Sequence, residues 1–253
     1  MDFLINSCSQ PPRFWLLHLA LPLIFALFLA LIYPKTGLDA QLLSQFYDSQ
    51  ALTFPLKNDS FLENIMHVGL KNLMVLVSLV LLGLWALGLK IWPLKLSFLQ
   101  TWQLKNNSLY TYHQQFLWVF VAMVISTSTI SILKHLSMHA CPWDLLIYGG
   151  TQPLIPLFGS LPIGATPGHC FPGGHASGGF ALLAFYFGFR DSSPKIAKIG
   201  LILGVLFGLA MGWAQMMRGA HFMSHNLWTV WLVWMVLLTQ YLIWPPKKSS
   251  PSV

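Results

Sequence analysis

Six apolar stretches alternate with polar segments along the chain, at lengths typical of transmembrane helices. The hydrocarbon core of a bilayer is about 30 Å thick, which a helix of about 20 apolar residues crosses. The predicted spans are Phe14–Tyr33, Leu70–Leu89, Gln115–Leu133, His175–Phe189, Ile199–Met216 and Leu227–Trp244. The pattern therefore predicts an all-α, polytopic membrane protein, with a single membrane domain over residues 1–253.

The composition supports this class of protein and argues against a soluble one. Only 8% of the residues are charged, whereas a soluble domain carries about 25%. The net charge of +7 is spread between the spans and forms no basic tract with interleaved aromatic residues. Nucleic acid is therefore not an expected partner.

The basic residues predict the orientation of the chain, because cytoplasmic segments of membrane proteins are enriched in lysine and arginine. With a cytoplasmic N-terminus, the inside segments hold nine basic residues: Arg13, Lys90, Lys95, Lys105, Arg190, Lys195, Lys198, Lys247 and Lys248. The outside segments hold five: Lys35, Lys57, Lys71, Lys134 and Arg218. We therefore expect both termini inside and the histidine-rich segments outside.

A glycine-rich turn leads directly into the fourth predicted span. It includes Gly173 and Gly174 and is followed at once by His175. Free backbone N–H groups at a helix start favour an anion such as phosphate, and glycines let the backbone come close to it. By itself the turn is equally compatible with a flexible loop that carries an incidental histidine.

The segment between the fifth and sixth spans concentrates Arg218, His221 and His225. If this segment is helical, the three side chains project from neighbouring positions of one face. A histidine can attack phosphorus and form a covalent phosphoenzyme, and its second ring nitrogen then needs a partner that fixes the tautomer. We predict that His225 is that partner for His221; the alternative is a polar helix end.

Cys141 and Cys170 fall in the same outer loop, whereas Cys8 falls inside. An oxidising outer compartment permits a disulfide between the two outer cysteines. Such a bridge would connect the end of the segment that begins at Lys134 to the turn before His175. Two small buried residues are the alternative interpretation.

Three segments, taken together, resemble the type 2 phosphatidic acid phosphatase superfamily, over a signature region of about residues 134–229. The family motifs are Lys-x6-Arg-Pro, Pro-Ser-Gly-His and Ser-Arg-x5-His-x3-Asp. In their place the chain has Lys134-x6-Cys141-Pro142, Pro172-Gly173-Gly174-His175 and Ala214-Gln215-x5-His221-x3-His225. Order and spacing agree, and membrane members of the family have six helices.

The resemblance implies a role for each matching residue. His221 matches the nucleophile, and His175 matches the general acid that protonates the leaving oxygen and later activates water. Lys134 matches a cation that binds phosphate, and Gly173 and Gly174 would present backbone N–H groups to it. The implied mechanism uses no metal and no cofactor.

The chain departs from the family motifs at five positions, one of which is Ala214 in place of a serine. Both signature arginines are replaced, by Cys141 and Gln215, and we expect Arg218 to supply the positive charge that phosphoryl transfer needs. The family aspartate is His225, whose orienting role Asp144 could share. The family serine is Gly173, which keeps only the backbone donor.

The resemblance implies a phosphatase for lipid phosphates or diphosphates, working through phosphohistidine at the periplasmic face of a bacterial inner membrane. A phosphotransferase of the same fold and an inactive member are the alternatives within the family. A zinc site is a rival, because zinc takes four such ligands; the candidates are His135, His139, His221, His225, Cys141 and Cys170. A transporter or other non-enzymatic membrane protein is the second rival. The phosphatase is better supported, since transport sites usually lie near mid-membrane.

Overall fold

The computed structural model describes residues 10–89 and 107–247, and this part of the chain is helical and has no extended strand. We number the helices α1 (Pro12–Lys35), α2 (Leu38–Ser44), α3 (Leu62–Gly88), α4 (Asn107–Leu136), α5 (Gly174–Phe180), α6 (Ala184–Phe189), α7 (Pro194–Met217) and α8 (Met223–Ile243). The predicted inside residues Lys90, Lys95, Lys105 and Lys248, and also Cys8, lie outside the described residues.

Five of these helices are long and apolar enough to cross a membrane: α1, α3, α4, α7 and α8. This finding supports an integral membrane protein. The fourth predicted span is instead made of α5, a 3-10 turn and α6, of seven, three and six residues. At about 1.5 Å per helical residue this segment is shorter than the bilayer core, so the count of six spans stays a prediction.

A stripe of glycines on α7 lets the short α5–α6 segment pack closely against it. The glycines recur every fourth residue, at Gly200, Gly204, Gly208 and Gly212. A side chain at Gly208 would collide with the ring of Phe180, and one at Gly204 would collide with Leu183. Small residues at such spacing allow close helix approach in membranes, and here they hold α5, which begins with the predicted site, against α7.

Helix α3 begins earlier than the sequence pattern predicts. The pattern places Glu63 and His67 in a polar outer segment, but the helix starts at Leu62 with π-helical turns over Leu62–Gly69. Turns of this kind are rare and are frequently found at functional sites. Because of this longer helix, both polar side chains are held on a regular element at the predicted outer level.

No helix continues through Arg218 and His221, so the condition under which Arg218, His221 and His225 would share one helical face is not met. Helix α7 ends at Met217, and Gly219 has a φ of +75°, which favours glycine. A side chain there would also collide with the ring of Phe54. Residues 218–222 therefore form a non-helical turn, and α8 begins at Met223.

The start of α8 is fixed by a carboxylate from the segment after α1. Asp39 accepts a hydrogen bond from the Ser224 backbone N–H at 2.9 Å, and the Tyr33 hydroxyl donates to the same oxygen at 3.0 Å. A negative charge at the N-terminus of a helix is favourable. The residues after α1 thus position the first turn of α8, which carries His225.

A second apolar cluster lies apart from the main core of the helix bundle. It is formed by Leu43, Phe54, Ala140, Leu145, Tyr148, Met216 and Phe222. Next to Ala140, Cys141 is joined to Cys170 in a disulfide, as predicted, with their Cα atoms 5.1 Å apart. Phe222 in this cluster, and the Cys170 Sγ at 3.1 Å from the Ala220 oxygen, connect the 218–222 turn to these segments.

Candidate active site

His221 lies on the turn between α7 and α8 and is almost completely buried, with 3% of its surface exposed. Burial lowers the pKa of its imidazole well below the ordinary value of 6.5, and the neighbouring His225, Lys134 and His175 act in the same direction. A buried base is kept neutral because desolvation disfavours its charged form. His221 is therefore a neutral imidazole, as a nucleophilic histidine must be.

His225 contacts the Nδ1 of His221, which is the ring nitrogen whose partner sets the tautomer. The Nδ1 atoms of the two rings are 3.3 Å apart, and both side chains are buried. In a neutral pair one Nδ1 donates and the other accepts. If His221 donates its Nδ1–H, its Nε2 keeps a lone pair, which is the form that can attack an electrophile.

His175 is the second residue of α5, two residues after the Gly173 N-cap. Its Nε2–H donates to the backbone oxygen of His67 at 2.7 Å. The two rings meet edge to face, with their centroids 3.8 Å apart. The glycine-rich helix start is therefore present where the sequence predicts it, but its histidine is oriented by a residue of α3.

The two glycines at the helix start differ in their surroundings. The Gly173 N–H donates to the His225 oxygen at 3.4 Å, so it is turned toward α8 and is not simply presented to a ligand. A Cβ at Gly173 would come within 2.8 Å of the Asn226 Oδ1. A serine at this position would therefore require the Asn226 side chain to shift.

Lys134, at the end of α4, lies beside the second of these glycines. A Cβ placed on Gly174 would lie 3.2 Å from the Lys134 Cδ and 3.8 Å from its Nζ. The ammonium group is thus close to the first turn of α5. The structure brings together Lys134, Gly174 and His175, as the motif order predicts.

Arg218 is 7% exposed and is anchored to the region before and within α3. Its Nε donates to the Lys57 oxygen at 2.9 Å, and its Nη1 lies 3.2 Å from the His67 Nδ1. Its Nη2 is 3.6 Å from the Glu63 carboxylate. Arg218 is therefore held by other protein groups, and His67 connects it to His175; its predicted contact with phosphate stays a prediction.

Gln215, which replaces a signature arginine, is buried, and its Nε2 has no hydrogen-bond partner among the described residues. The Asp144 Oδ2 accepts a hydrogen bond from the indole of Trp143 at 2.9 Å. The contact to the Nδ1 of His221 comes from His225, so Asp144 does not take the orienting position.

The site predicted from the sequence did not include Glu63, His67 and Lys71. Lys71 and His175 line one cavity of about 410 Å³, whose other walls are mostly apolar side chains of α3, α4 and α5. Glu63, His67 and Lys71 recur at intervals of four residues along α3, the spacing of one helix face. This four-residue recurrence is the sequence signal that would have revealed a longer second helix.

The predicted metal rival is only partly assembled. His135 stacks on His169, and the His139 Nε2 lies 3.3 Å from the Pro156 oxygen. Within the described ranges, the one group with metal-ligand spacing is Cys170 with His221 and His225. Because Cys170 is in a disulfide, this group offers no thiolate in the structure.

A family model described as the PAP2 superfamily matches residues 115–249. The match covers more than half of the chain and includes all three segments of the site. No curated protein and no solved structure matches the chain.

Proposed function

Since the chain belongs to the PAP2 superfamily, and this membership suggests phosphatase-type activity, we propose that it removes phosphate from membrane lipid phosphates or diphosphates. The observation that carries this proposal is the buried pair of histidines, with the two Nδ1 atoms 3.3 Å apart. Such a pair sets the tautomer that a phosphorus-attacking imidazole needs. The resemblance to the family implies a bacterial inner membrane, and the charge distribution favours a site on its periplasmic side.

In the proposed reaction, the Nε2 of His221 attacks phosphorus, and the bond from phosphorus to the leaving oxygen breaks. In the free protein, burial lowers the pKa of His175 to about 4. The anionic phosphate of the bound substrate favours the protonated form of His175, which then gives that oxygen a proton. Because its Nε2–H is donated to His67, its Nδ1 is the atom that transfers the proton. A water then attacks phosphohistidine, His175 takes the water proton, and phosphate leaves.

Positive charge for the phosphoryl oxygens comes from lysines in this proposal, together with backbone N–H groups at the start of α5. Lys134 lies against Gly174, and Lys71 lines the same cavity as His175. Phosphoryl transfer depends mainly on positioning and on such charge stabilisation. The lysines thus take over part of what the missing signature arginines do in the family.

A lipid substrate is favoured by the shape and chemistry of that cavity. Lys71 and His175 are at its polar end, and the rest of the wall includes Met74, Val75, Leu79, Phe120, Met123 and Val124. A hydrocarbon chain would be buried along this wall and would gain about 25 cal/mol per Å² of apolar area removed from water. A water-soluble phosphate ester would leave the wall without a partner.

The test is phosphate release from a panel of lipid phosphates and diphosphates in mixed micelles, with wild type and His221→Ala compared. We expect release from at least one lipid and a loss of at least about 10⁴-fold in the variant, because members of a nucleophilic unit carry losses of this order. His135→Ala is the matched control, since His135 stacks on His169 outside the proposed centre. Equal activity of His221→Ala and His135→Ala would overturn the proposal.

A further inference from the structure

We propose that reducing the disulfide between Cys141 and Cys170 creates an inhibitory site for a thiophilic divalent metal such as zinc. Its ligands would be the Cys170 thiolate and the Nδ1 atoms of His221 and His225. The inhibitory part of this inference rests on the proposed function of His221, whereas the metal site itself does not.

Two of the three separations between the ligand atoms fit tetrahedral zinc. Bond lengths of about 2.0–2.1 Å to nitrogen and about 2.3 Å to sulfur require separations of about 3.4 Å between nitrogens and about 3.5 Å between nitrogen and sulfur. The two Nδ1 atoms are 3.3 Å apart, and the Cys170 Sγ is 3.5 Å from the His221 Nδ1. All three ligand atoms lie within 4.8 Å of one another.

The surroundings of the group suit a bound metal as well. Cys170 is 0% exposed, His221 3% and His225 5%, so few water molecules compete for the ligands. Three protein ligands leave the fourth tetrahedral position for water. These distances are those of the disulfide-bonded protein. After reduction, the Cys170 sulfur therefore needs little backbone movement to reach a metal between the two rings.

Reduction supplies the missing ligand by a balanced reaction. Cys141 is partly exposed, so a water-soluble phosphine can attack its sulfur, break the S–S bond and release Cys170 as a thiolate. Water then hydrolyses the phosphorus–sulfur bond, which gives the phosphine oxide and the Cys141 thiol. The phosphine is oxidised by two electrons and the disulfide is reduced by two, and thiolates are the form of cysteine that binds metals.

Metal binding at Nδ1 would switch off the nucleophile directly. A neutral imidazole has one N–H and one nitrogen with a lone pair. In the active form described above, the His221 Nδ1 carries the hydrogen and Nε2 carries the lone pair. A metal on Nδ1 uses the lone pair at that atom, so the hydrogen moves to Nε2, which then cannot attack phosphorus.

Two serine variants separate the metal site from effects of losing the disulfide. Both Cys141→Ser and Cys170→Ser abolish the bridge, but only Cys141→Ser keeps the Cys170 sulfur. We would titrate each purified, full-length variant with Co²⁺, a spectroscopic substitute for zinc. We expect Cys141→Ser to bind one Co²⁺ with thiolate-to-metal charge transfer and tetrahedral bands, and Cys170→Ser to show neither.

The wild type provides a second arm that does not depend on either variant folding. Without reductant, thiol counting should find Cys8 as the one reactive cysteine, and Co²⁺ should give no charge-transfer band. After phosphine treatment the band should appear, and adding His225→Ala should remove it. If the reduced wild type and Cys141→Ser both lack the band, the proposed metal site is wrong.

The activity arm tests inhibition separately. We expect stoichiometric Zn²⁺ to reduce phosphate release by Cys141→Ser at least tenfold, with recovery on adding EDTA, and to leave the unreduced wild type unchanged. A Co²⁺ band without any inhibition would overturn the inhibitory role alone. A band in a protein that releases phosphate from no lipid would instead overturn the proposed function and keep the metal site.

Discussion

His175 lies on the regular first turn of α5, whereas His221 lies on a non-helical turn between two long helices. The first is placed by a helix start, by close packing of glycines on α7 and by one backbone oxygen of α3. The second is placed by tertiary contacts, namely the disulfide between Cys141 and Cys170, the Asp39 cap on α8 and the ring of His225. The backbone at His175 is therefore set by a regular helix start, whereas the backbone at His221 depends on contacts with other segments.

This difference has a consequence for how each half responds to mutation. Changes near His175 should act mainly on the histidine itself, because its backbone is held by secondary structure. Changes near His221 should act through its neighbours, since no regular element holds its ring. The following substitutions test this contrast, from the largest expected effect to the smallest.

His175→Ala should lower kcat by about 10²- to 10⁴-fold, the range that general acid–base groups contribute. The loss should shrink for a substrate whose leaving group needs no proton, such as a nitrophenyl phosphate ester. Steady-state kinetics on a lipid phosphate and on the nitrophenyl ester measure both effects. An equal loss on the two substrates would contradict the role of proton donor.

His225→Ala should lower kcat by about 10²-fold, because the tautomer of a catalytic histidine is set by the partner at its other nitrogen. His225→Asp should recover most of that loss, since a carboxylate accepts the same hydrogen bond and also stabilises an imidazolium. The readout is kcat together with its pH profile, in which the aspartate variant should shift the acid limb relative to wild type. If alanine and aspartate behave alike, His225 does not orient His221.

His67→Ala should lower kcat by about 10-fold, through misplacement of groups that must be aligned for reaction. The ring of His67 contacts both Arg218 and His175. The alanine variant loses these ring contacts but keeps the backbone oxygen that accepts the hydrogen bond from His175. His67→Gln retains an acceptor for the guanidinium and should restore part of the activity. A similar loss in both variants, with unchanged melting temperatures, would mean that Arg218 needs no support from this position.

The buried neutral His221 predicts how the folding free energy depends on pH. Its pKa is lowered in the folded state, so below pH 6.5 the unfolded chain binds a proton that the folded chain does not. Stability should therefore be fully present above pH 6.5 and decrease as the pH falls, by at most about 1.4 kcal/mol per pH unit from this group.

Thermal unfolding of wild type and His221→Asn between pH 8 and pH 5 measures this contribution in detergent. The asparagine variant has no imidazole at this position, so its curve should be flatter in the acidic half of that range. Parallel curves would show that His221 does not carry the pH dependence.

The fold class and much of the site could be predicted from the sequence, because apolar runs, glycine-rich turns and motif spacing are local signals. The segment between the fifth and sixth spans was expected to be short and polar, but the close packing of Gly219 against Phe54 could not be predicted, because the two residues are far apart in the sequence. The contact of His67 with His175 was missed because polar residues at the start of α3 look like a loop. The contact between His221 and His225 was predicted, but only His225 lies on a helix.

In the proposed reaction, the Nε2 of His221 becomes phosphorylated during turnover. Rapid quenching of wild type with a lipid phosphate labelled in the phosphoryl group, under alkaline conditions that preserve phosphohistidine, measures this intermediate. We expect label on the peptide that carries His221, lost on acid treatment and absent from His221→Ala. Phosphate release by a wild type that never carries this label, or label on a different residue, would show that His221 is not the nucleophile.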